Sequence, residues 1–166
     1  YKLSNFFDLR VHDYEQLKEL GEKIKSAEYS KSDEFKQLKE NVNNCVKRPL
    51  VDKQIEAVSH IVNMERSLNF SVPGSGKTAT VLGAFEYLNH LPRYDKRHVD
   101  KLLVVGPVNC SKSWKDEYDV VSYESNNHKP LNIIGSGDRY DKAQILEHDY
   151  PTSCLLYTSD AADDLT

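Results

Sequence analysis

A lysine and a threonine follow two closely spaced glycines near the middle of the chain, in residues 73–78 (Pro-Gly-Ser-Gly-Lys-Thr). Glycines let the backbone curl so that several N–H groups point at one anion, and a helix that begins there adds its positive end. In such a loop the lysine reaches the β- and γ-phosphates and the threonine hydroxyl ligates Mg²⁺. We therefore predict binding of ATP or GTP with Mg²⁺, with Lys77 and Thr78 as catalytic residues and Thr78 as metal ligand. The predicted cofactor-binding residues of this loop are Pro73, Gly74, Ser75, Gly76, Lys77 and Thr78.

The complete phosphate-loop pattern is G-x-x-x-x-G-K-[ST], and Ser71 stands at its first glycine position. Serine is small, so we expect it to permit close packing there. Before the loop, Leu68, Phe70 and Val72 alternate with polar residues, as in a β-strand. After it, apolar residues at helical spacing predict a helix; they are Val81, Leu82, Phe85 and Leu88. This strand–loop–helix context favours a phosphate loop over an ordinary Gly/Ser turn.

The elements on either side predict an α/β fold. Residues 102–105 are an uninterrupted apolar run, which is typical of a strand buried in a parallel sheet, and residues 131–134 predict a third strand. A helix is expected over 110–118, and another from 52 to about 65. Residues 1–47 read as helical, with Gly21 as a possible break and Ser32 or Asp33 as an N-cap. Their apolar stripes are Val11, Tyr14, Leu17 and Leu20, then Phe35, Leu38 and Val42.

Composition describes a soluble protein. Charged residues make up 29% of 166, the mean hydropathy is -0.65, and no apolar run approaches the roughly 18–20 residues of a membrane span. Cys45, Cys110 and Cys154 lack metal-ligand or disulfide spacing, so we expect reduced cysteines, a cytoplasmic location and no membrane partner. The net charge of -4 decides nothing about nucleic acid, because binding depends on local patches.

Residues 154–164 resemble a translated sequencing-library adapter. We therefore expect the natural reading frame to stop near Ser153 and residues 154–166 to be an artefactual tail. The alternative is a genuine short strand at residues 155–157. Because the chain starts at Tyr1 rather than Met, we also expect the natural N-terminus to be missing.

Three segments together resemble helicase superfamily two, and within it the Swi/Snf-like (DEAD/DEAH-type) ATP-dependent helicases and translocases. Residues 48–54 (Arg-Pro-Leu-Val-Asp-Lys-Gln) look like the glutamine motif of that family, and residues 73–78 look like its motif I. Residues 102–107 with 114–118 look like its motif Ia. The resemblance covers about residues 48–145. It implies a partial RecA-like P-loop lobe, a parallel sheet with flanking helices, in which residues 48–153 are the first part of the ATP-binding domain and residues 1–47 a helical accessory segment.

The resemblance also assigns roles. Gln54 would bind the adenine edge, because an amide offers both a donor and an acceptor, and it would favour ATP over GTP. The partner that the resemblance implies is nucleic acid, and specifically double-stranded DNA, bound by the parent protein. Pro107, Ser111 and Lys112 lie where family members contact the nucleic-acid backbone, although a helix cap and a surface charge are equal alternatives for Ser111 and Lys112. We expect Trp114 to be a packing residue.

Two departures limit the expected activity. Neither Asp-Glu-x-His nor Asp-Glu-Ala-Asp follows the loop, and the second lobe with its arginine fingers is missing from the sequence. Phosphoryl transfer needs the metal, a water-orienting group and the arginine charge together. We expect the ATP-binding portion of a nucleic-acid-dependent ATPase whose own hydrolysis is negligible. The alternatives are a complete small P-loop nucleotide-binding or signalling protein and a non-catalytic interaction module. Against a GTPase, this sequence lacks the Asn-Lys-x-Asp signature for guanine.

Overall fold

The computed structural model describes residues 11–26, 28–64, 66–105, 110–123, 133–134 and 155–157. Its helices, in chain order, are α1 (Val11–Lys25), α2 (Asp33–Cys45), α3 (Asp52–Asn63), α4 (Lys77–His90) and α5 (Ser111–Val121), with a 3₁₀ turn (Tyr29–Lys31) between α1 and α2. Within the described part of the chain, no helix has the length and apolar character needed to cross a bilayer.

The helix starts follow the local sequence. Ser32 is the N-cap of α2, and its hydroxyl accepts a hydrogen bond from the Phe35 N–H at 3.2 Å, which confirms the capping prediction. At the start of α3, the Gln54 side-chain oxygen accepts from the Val51 N–H at 3.1 Å. The predicted break at Gly21 is wrong, because α1 continues through that residue to Lys25.

Helix α4 lies at the centre of the fold and packs against α2, α3 and α5. Its residues 79, 80 and 82–86 are all buried, so it is covered on more than the single face that the apolar stripe predicts. The core around it is one cluster contributed by all the helices. Its most deeply buried apolar residues include Val42, Ile55, Val58, Leu82 and Val121.

Three short strands form a parallel sheet. They are β1 (Leu103–Val105), β2 (Ile133–Ile134) and β3 (Leu155–Tyr157), in the order β1-β3-β2. Leu103 pairs with Leu155, and Ile133 pairs with Leu156. β3 coincides with the short strand at residues 155–157 that the sequence allows as the alternative to an artefactual tail.

The prediction of an α/β fold, a partial RecA-like lobe built on a parallel sheet, is wrong. The described body of the protein is helical, and no two strands pair within its described residues between 11 and 123. The predicted first strand is irregular instead, and its side chains Leu68, Phe70 and Val72 are 75%, 88% and 71% exposed. Alternation of apolar and polar residues meets only the local requirement of a strand. A strand also needs hydrogen bonds to a neighbouring strand, and in this core the packing is between helices instead.

Candidate phosphate-binding site

The predicted phosphate loop lies at the N-terminus of α4. Gly74 and Gly76 have φ angles of 79° and 80°, in the left-handed region that glycine adopts at little cost. Gly76 is the N-cap of α4, so the curled backbone leads directly into the first helical turn. The N–H groups of a first turn have no acceptor within their own helix, and together with the helix dipole they favour an anion.

Lys77 folds back over the loop that precedes it. Its ammonium donates hydrogen bonds to the carbonyl oxygens of Ser71, at 2.5 Å, and Val72, at 2.9 Å. The positive charge is therefore held at the loop, next to the backbone that an anion would contact. Both present acceptors are neutral carbonyl oxygens. A phosphate oxygen that entered the loop would carry charge and would therefore be a stronger acceptor for the ammonium.

Ser71, which replaces the first glycine of the pattern, ties the loop together with its hydroxyl. Its Oγ lies 2.8 Å from the Oγ of Ser75 and donates to the Asn69 side-chain oxygen at 2.7 Å. The Ser75 N–H also donates to the Val72 carbonyl at 3.3 Å. The departure from the pattern thus adds cross-loop hydrogen bonds that a glycine could not make.

Gln54, predicted to bind adenine, lies against the loop although it is remote in sequence. Its side-chain nitrogen donates to the Ser75 carbonyl at 3.4 Å, while its oxygen accepts from Val51. The side chain is half-buried and contacts Gly76. Helix α3 thus places the amide beside the phosphate loop, and both ends of the amide hold protein partners.

A cleft of about 590 Å³ opens between the loop and α5. Its volume falls within the range of about 300–1,000 Å³ that is typical of small-molecule sites. The space beside the Gly74 Cα is open, since a methyl group added there would meet no atom within 4 Å. The lining residues are Pro73, Gly74, Gly76, Lys77, Thr78, Ser113 and Glu117. These groups fit a phosphate chain, with the Thr78 hydroxyl available for a cation.

Two of those lining residues, Ser113 and Glu117, were missed by sequence reasoning. The available signal was the tetrapeptide Asp-Glu-Tyr-Asp at residues 116–119, which carries an acidic pair on α5. Glu117 forms an ion pair with Arg48, a residue of the segment that precedes α3. Glu117 therefore connects the α5 side of the cleft to the segment that precedes α3.

The residues expected to contact nucleic acid are only partly described. Pro107 lies outside the described residues, Ser111 is the first residue of α5, and Lys112 is exposed. Trp114 is half-buried and packs against the core, which confirms its predicted packing role. Lys112 is not among the residues that line the cleft.

The remaining candidate features lie elsewhere. A larger cavity of about 900 Å³ is lined by α1, α3 and residues 66–70, including Lys53, His60 and Phe70, and shares no residue with the loop. Among the described residues, no group of three or more His, Cys, Asp and Glu side chains could hold a metal ion. Burial, and secondarily the charge of Glu86, raise the pKa of the Cys45 thiol. The phosphate-loop cleft is therefore the site that the sequence motif and the geometry share.

Comparisons with known proteins add no relative: no family model matches the chain, and searches of curated proteins and of solved structures found no match.

Proposed function

We propose that this chain binds ATP together with Mg²⁺ in the cleft between the phosphate loop and α5. The observation that carries the proposal is the loop itself: left-handed Gly74 and Gly76 lead into α4, and the Lys77 ammonium is held over the same backbone. Backbone donors, a helix N-terminus and a lysine are the three features by which such loops bind a polyphosphate. Thr78 is the residue that would hold Mg²⁺, which supplies charge neutralisation to the phosphates when it is bound.

The preference for ATP over GTP rests on Gln54. Its amide lies at the loop, bonded to Ser75, so an adenine ring near Gly76 would be within its reach. To bind the adenine edge, the amide must exchange its contacts with Val51 and Ser75 for N6 and N7 of the base. Replacing Gln54 with Ala should therefore reduce discrimination between ATP and GTP more than it reduces affinity for tripolyphosphate.

The wider role that we propose is the ATP-binding portion of a nucleic-acid-dependent ATPase of the helicase or translocase class, acting on double-stranded DNA. Its support is the resemblance of residues 48–54 and 73–78, together with the contact between Gln54 and the loop. Turnover by the chain alone should be negligible, because neither Asp-Glu-x-His nor Asp-Glu-Ala-Asp occurs in it to complete the metal and water site. Substantial ATP hydrolysis that disappears in Lys77→Ala would contradict this part of the proposal.

Isothermal titration calorimetry with ATP, GTP and tripolyphosphate, with and without Mg²⁺, tests the binding proposal. Wild-type protein should bind ATP, and Lys77→Ala should weaken that binding at least about tenfold, since a charge-assisted contact to phosphate is lost. Lys53→Ala is the matched control, because Lys53 is an exposed lysine of α3 that does not line the cleft. Equal affinities of wild type and Lys77→Ala, or no affinity at all in wild type, would refute the proposal.

A further inference from the structure

The wall of the cleft opposite the phosphate loop carries a carboxylate. Glu117 of α5 lines the same cleft as Gly74, Lys77 and Thr78. Of the described residues that line the cleft, it is the only acidic one. A carboxylate opposes the negative charge of a polyphosphate, so Glu117 would weaken the proposed binding if its charge were not balanced.

Arg48 supplies that balance. Its guanidinium donates a hydrogen bond to Glu117 and forms an ion pair with it, with side-chain exposures of 45% for Arg48 and 27% for Glu117. Because the pair is partly buried, water and salt screen its attraction less than they would screen that of a fully exposed pair. A planar guanidinium also holds the carboxylate in one orientation better than a lysine would.

The position of Arg48 is fixed by the backbone next to it. The Lys47 N–H donates to the Val121 carbonyl at 2.8 Å, and the Lys47 ammonium donates to the Asp119 carbonyl at 3.3 Å. Val46 and Val121 are both buried in the core. The segment before α3 is therefore docked on the end of α5 independently of the ion pair, which keeps the Arg48 backbone near Glu117.

The same segment reaches the phosphate loop a few residues later. Arg48 contacts Glu117, which lines the cleft, and Gln54 contacts Ser75 of the phosphate loop. Other ion pairs of the described chain, such as Lys23 with Glu34, join residues that do not line this cleft. The placement of the Arg48–Glu117 pair is thus specific to the proposed nucleotide site.

We infer that Arg48 is a positioning residue of the nucleotide cleft: it neutralises and orients Glu117 so that the cleft accepts a triphosphate. This inference rests on the proposed ATP binding and deepens it. While Glu117 is paired with Arg48, its carboxylate is directed at the guanidinium rather than at a cation held by Thr78. The charge balance of the pair, rather than either residue alone, then sets the affinity for phosphate.

The test is a double-mutant cycle with Arg48→Met and Glu117→Gln, titrated with ATP, ADP and adenosine. Arg48→Met leaves the Glu117 carboxylate without its guanidinium partner and should weaken ATP binding about tenfold, ADP less, and adenosine by less than about twofold. Glu117→Gln should strengthen ATP binding about threefold in EDTA. The double variant removes both charges of the pair and should return to within about twofold of wild type. Lys23→Met, which breaks an ion pair away from the cleft, is the control and should match wild type.

Each contrary outcome is distinct. If wild type binds no ATP, the proposed function fails and this inference fails with it. If wild type binds ATP but both single variants match it, the inference alone is wrong. Equal losses for ATP and adenosine in Arg48→Met would reveal a purely structural role and also overturn it. If Glu117→Gln weakens Mg-ATP binding but leaves ATP binding in EDTA unchanged, the carboxylate acts on the metal and the inference is wrong. Should Arg48→Met fail to fold by circular dichroism, the charge dependence of Glu117→Gln decides the question.

Discussion

The side-chain amide of Gln54 occupies the space in which a side chain at Gly76 would have to lie. A Cβ built on Gly76 would overlap the Gln54 nitrogen, and the same nitrogen donates to the carbonyl of Ser75. The glycine is therefore needed for two reasons, its left-handed φ of 80° and the close approach of α3. Helix α3 and the phosphate loop are fitted to each other at this one contact.

We predict that Gly76→Ala destabilises the protein by about 1–2 kcal/mol, because the backbone strain at positive φ adds to the displacement of the Gln54 amide from its hydrogen bond to Ser75. Gly74→Ala is the matched variant: its φ is 79°, but open space surrounds the added methyl group. It should cost only the strain, about 1 kcal/mol. Urea denaturation gives both free energies of unfolding.

The steric part of the Gly76 effect can be separated from the strain. In the background of Gln54→Ala, the added methyl group at Gly76 no longer meets the amide, so Gly76→Ala should then cost about as much as Gly74→Ala. An unchanged cost in that background would show that the contact between Gln54 and Gly76 does not determine the loop's stability.

A buried hydroxyl pair joins the 3₁₀ turn to α3. The Tyr29 hydroxyl lies 2.6 Å from the Ser59 hydroxyl, and the Tyr29 ring packs edge-on against Phe35. Tyr29→Phe keeps the ring and should cost about 1 kcal/mol, because a buried hydroxyl loses its partner. The double variant Tyr29→Phe/Ser59→Ala should cost less than the sum of the single variants by about 0.5–1 kcal/mol. Tyr94→Phe, at an 89% exposed residue, should leave the free energy of unfolding unchanged; additive losses at residues 29 and 59 would contradict the coupling.

Local signals predicted the helices well and the strand before the phosphate loop poorly. The Ser32 cap and the buried Phe35 and Val42 of α2 lie where capping chemistry and helical spacing put them. The alternation of Leu68 and Phe70 was equally regular, yet both are exposed in an irregular segment. A helix satisfies its hydrogen bonds within itself, whereas a strand depends on a partner that its own sequence does not specify.

The candidate site shows the same difference between local features, which the sequence predicts, and long-range contacts, which it does not. The loop conformation at residues 74–76 follows from glycine chemistry, and the motif predicted it. That Glu117 lines the cleft and pairs with Arg48 depends on how the end of α5 docks on the segment before α3. No spacing rule connects residues 69 positions apart in sequence. Contacts of this kind become visible only once the packing of the helices is known.

Two glycines in helices should respond to alanine in opposite directions. At Gly83 in α4, an added Cβ would lie 2.5 Å from the buried Leu50 side chain, so Gly83→Ala should cost about 1–3 kcal/mol despite the better helix propensity of alanine. At Gly21 in α1, the nearest atom is the Met64 side chain at 3.6 Å, and Gly21→Ala should stabilise by up to about 1 kcal/mol. Thermal unfolding followed by circular dichroism measures both, and stabilisation by Gly83→Ala would show that Leu50 moves aside freely.

The connector after α4 contains a carboxylate with a strongly lowered pKa. Hydrogen bonds from the Arg97 side chain, and then from its backbone N–H, lower the pKa of Asp95 from 3.8 to about 2. A carboxyl whose pKa is lowered in the folded state stabilises that state above its ordinary pKa, and this contribution disappears as the pH falls through about 2. We therefore expect wild type to be more stable than Arg97→Met near neutral pH, with a difference that shrinks below about pH 4 and vanishes below about pH 2. Urea denaturation across that range measures the difference, and in an Asp95→Asn background it should no longer depend on pH. A difference that persists in full at pH 2 would assign the role of Arg97 to contacts other than its pair with Asp95.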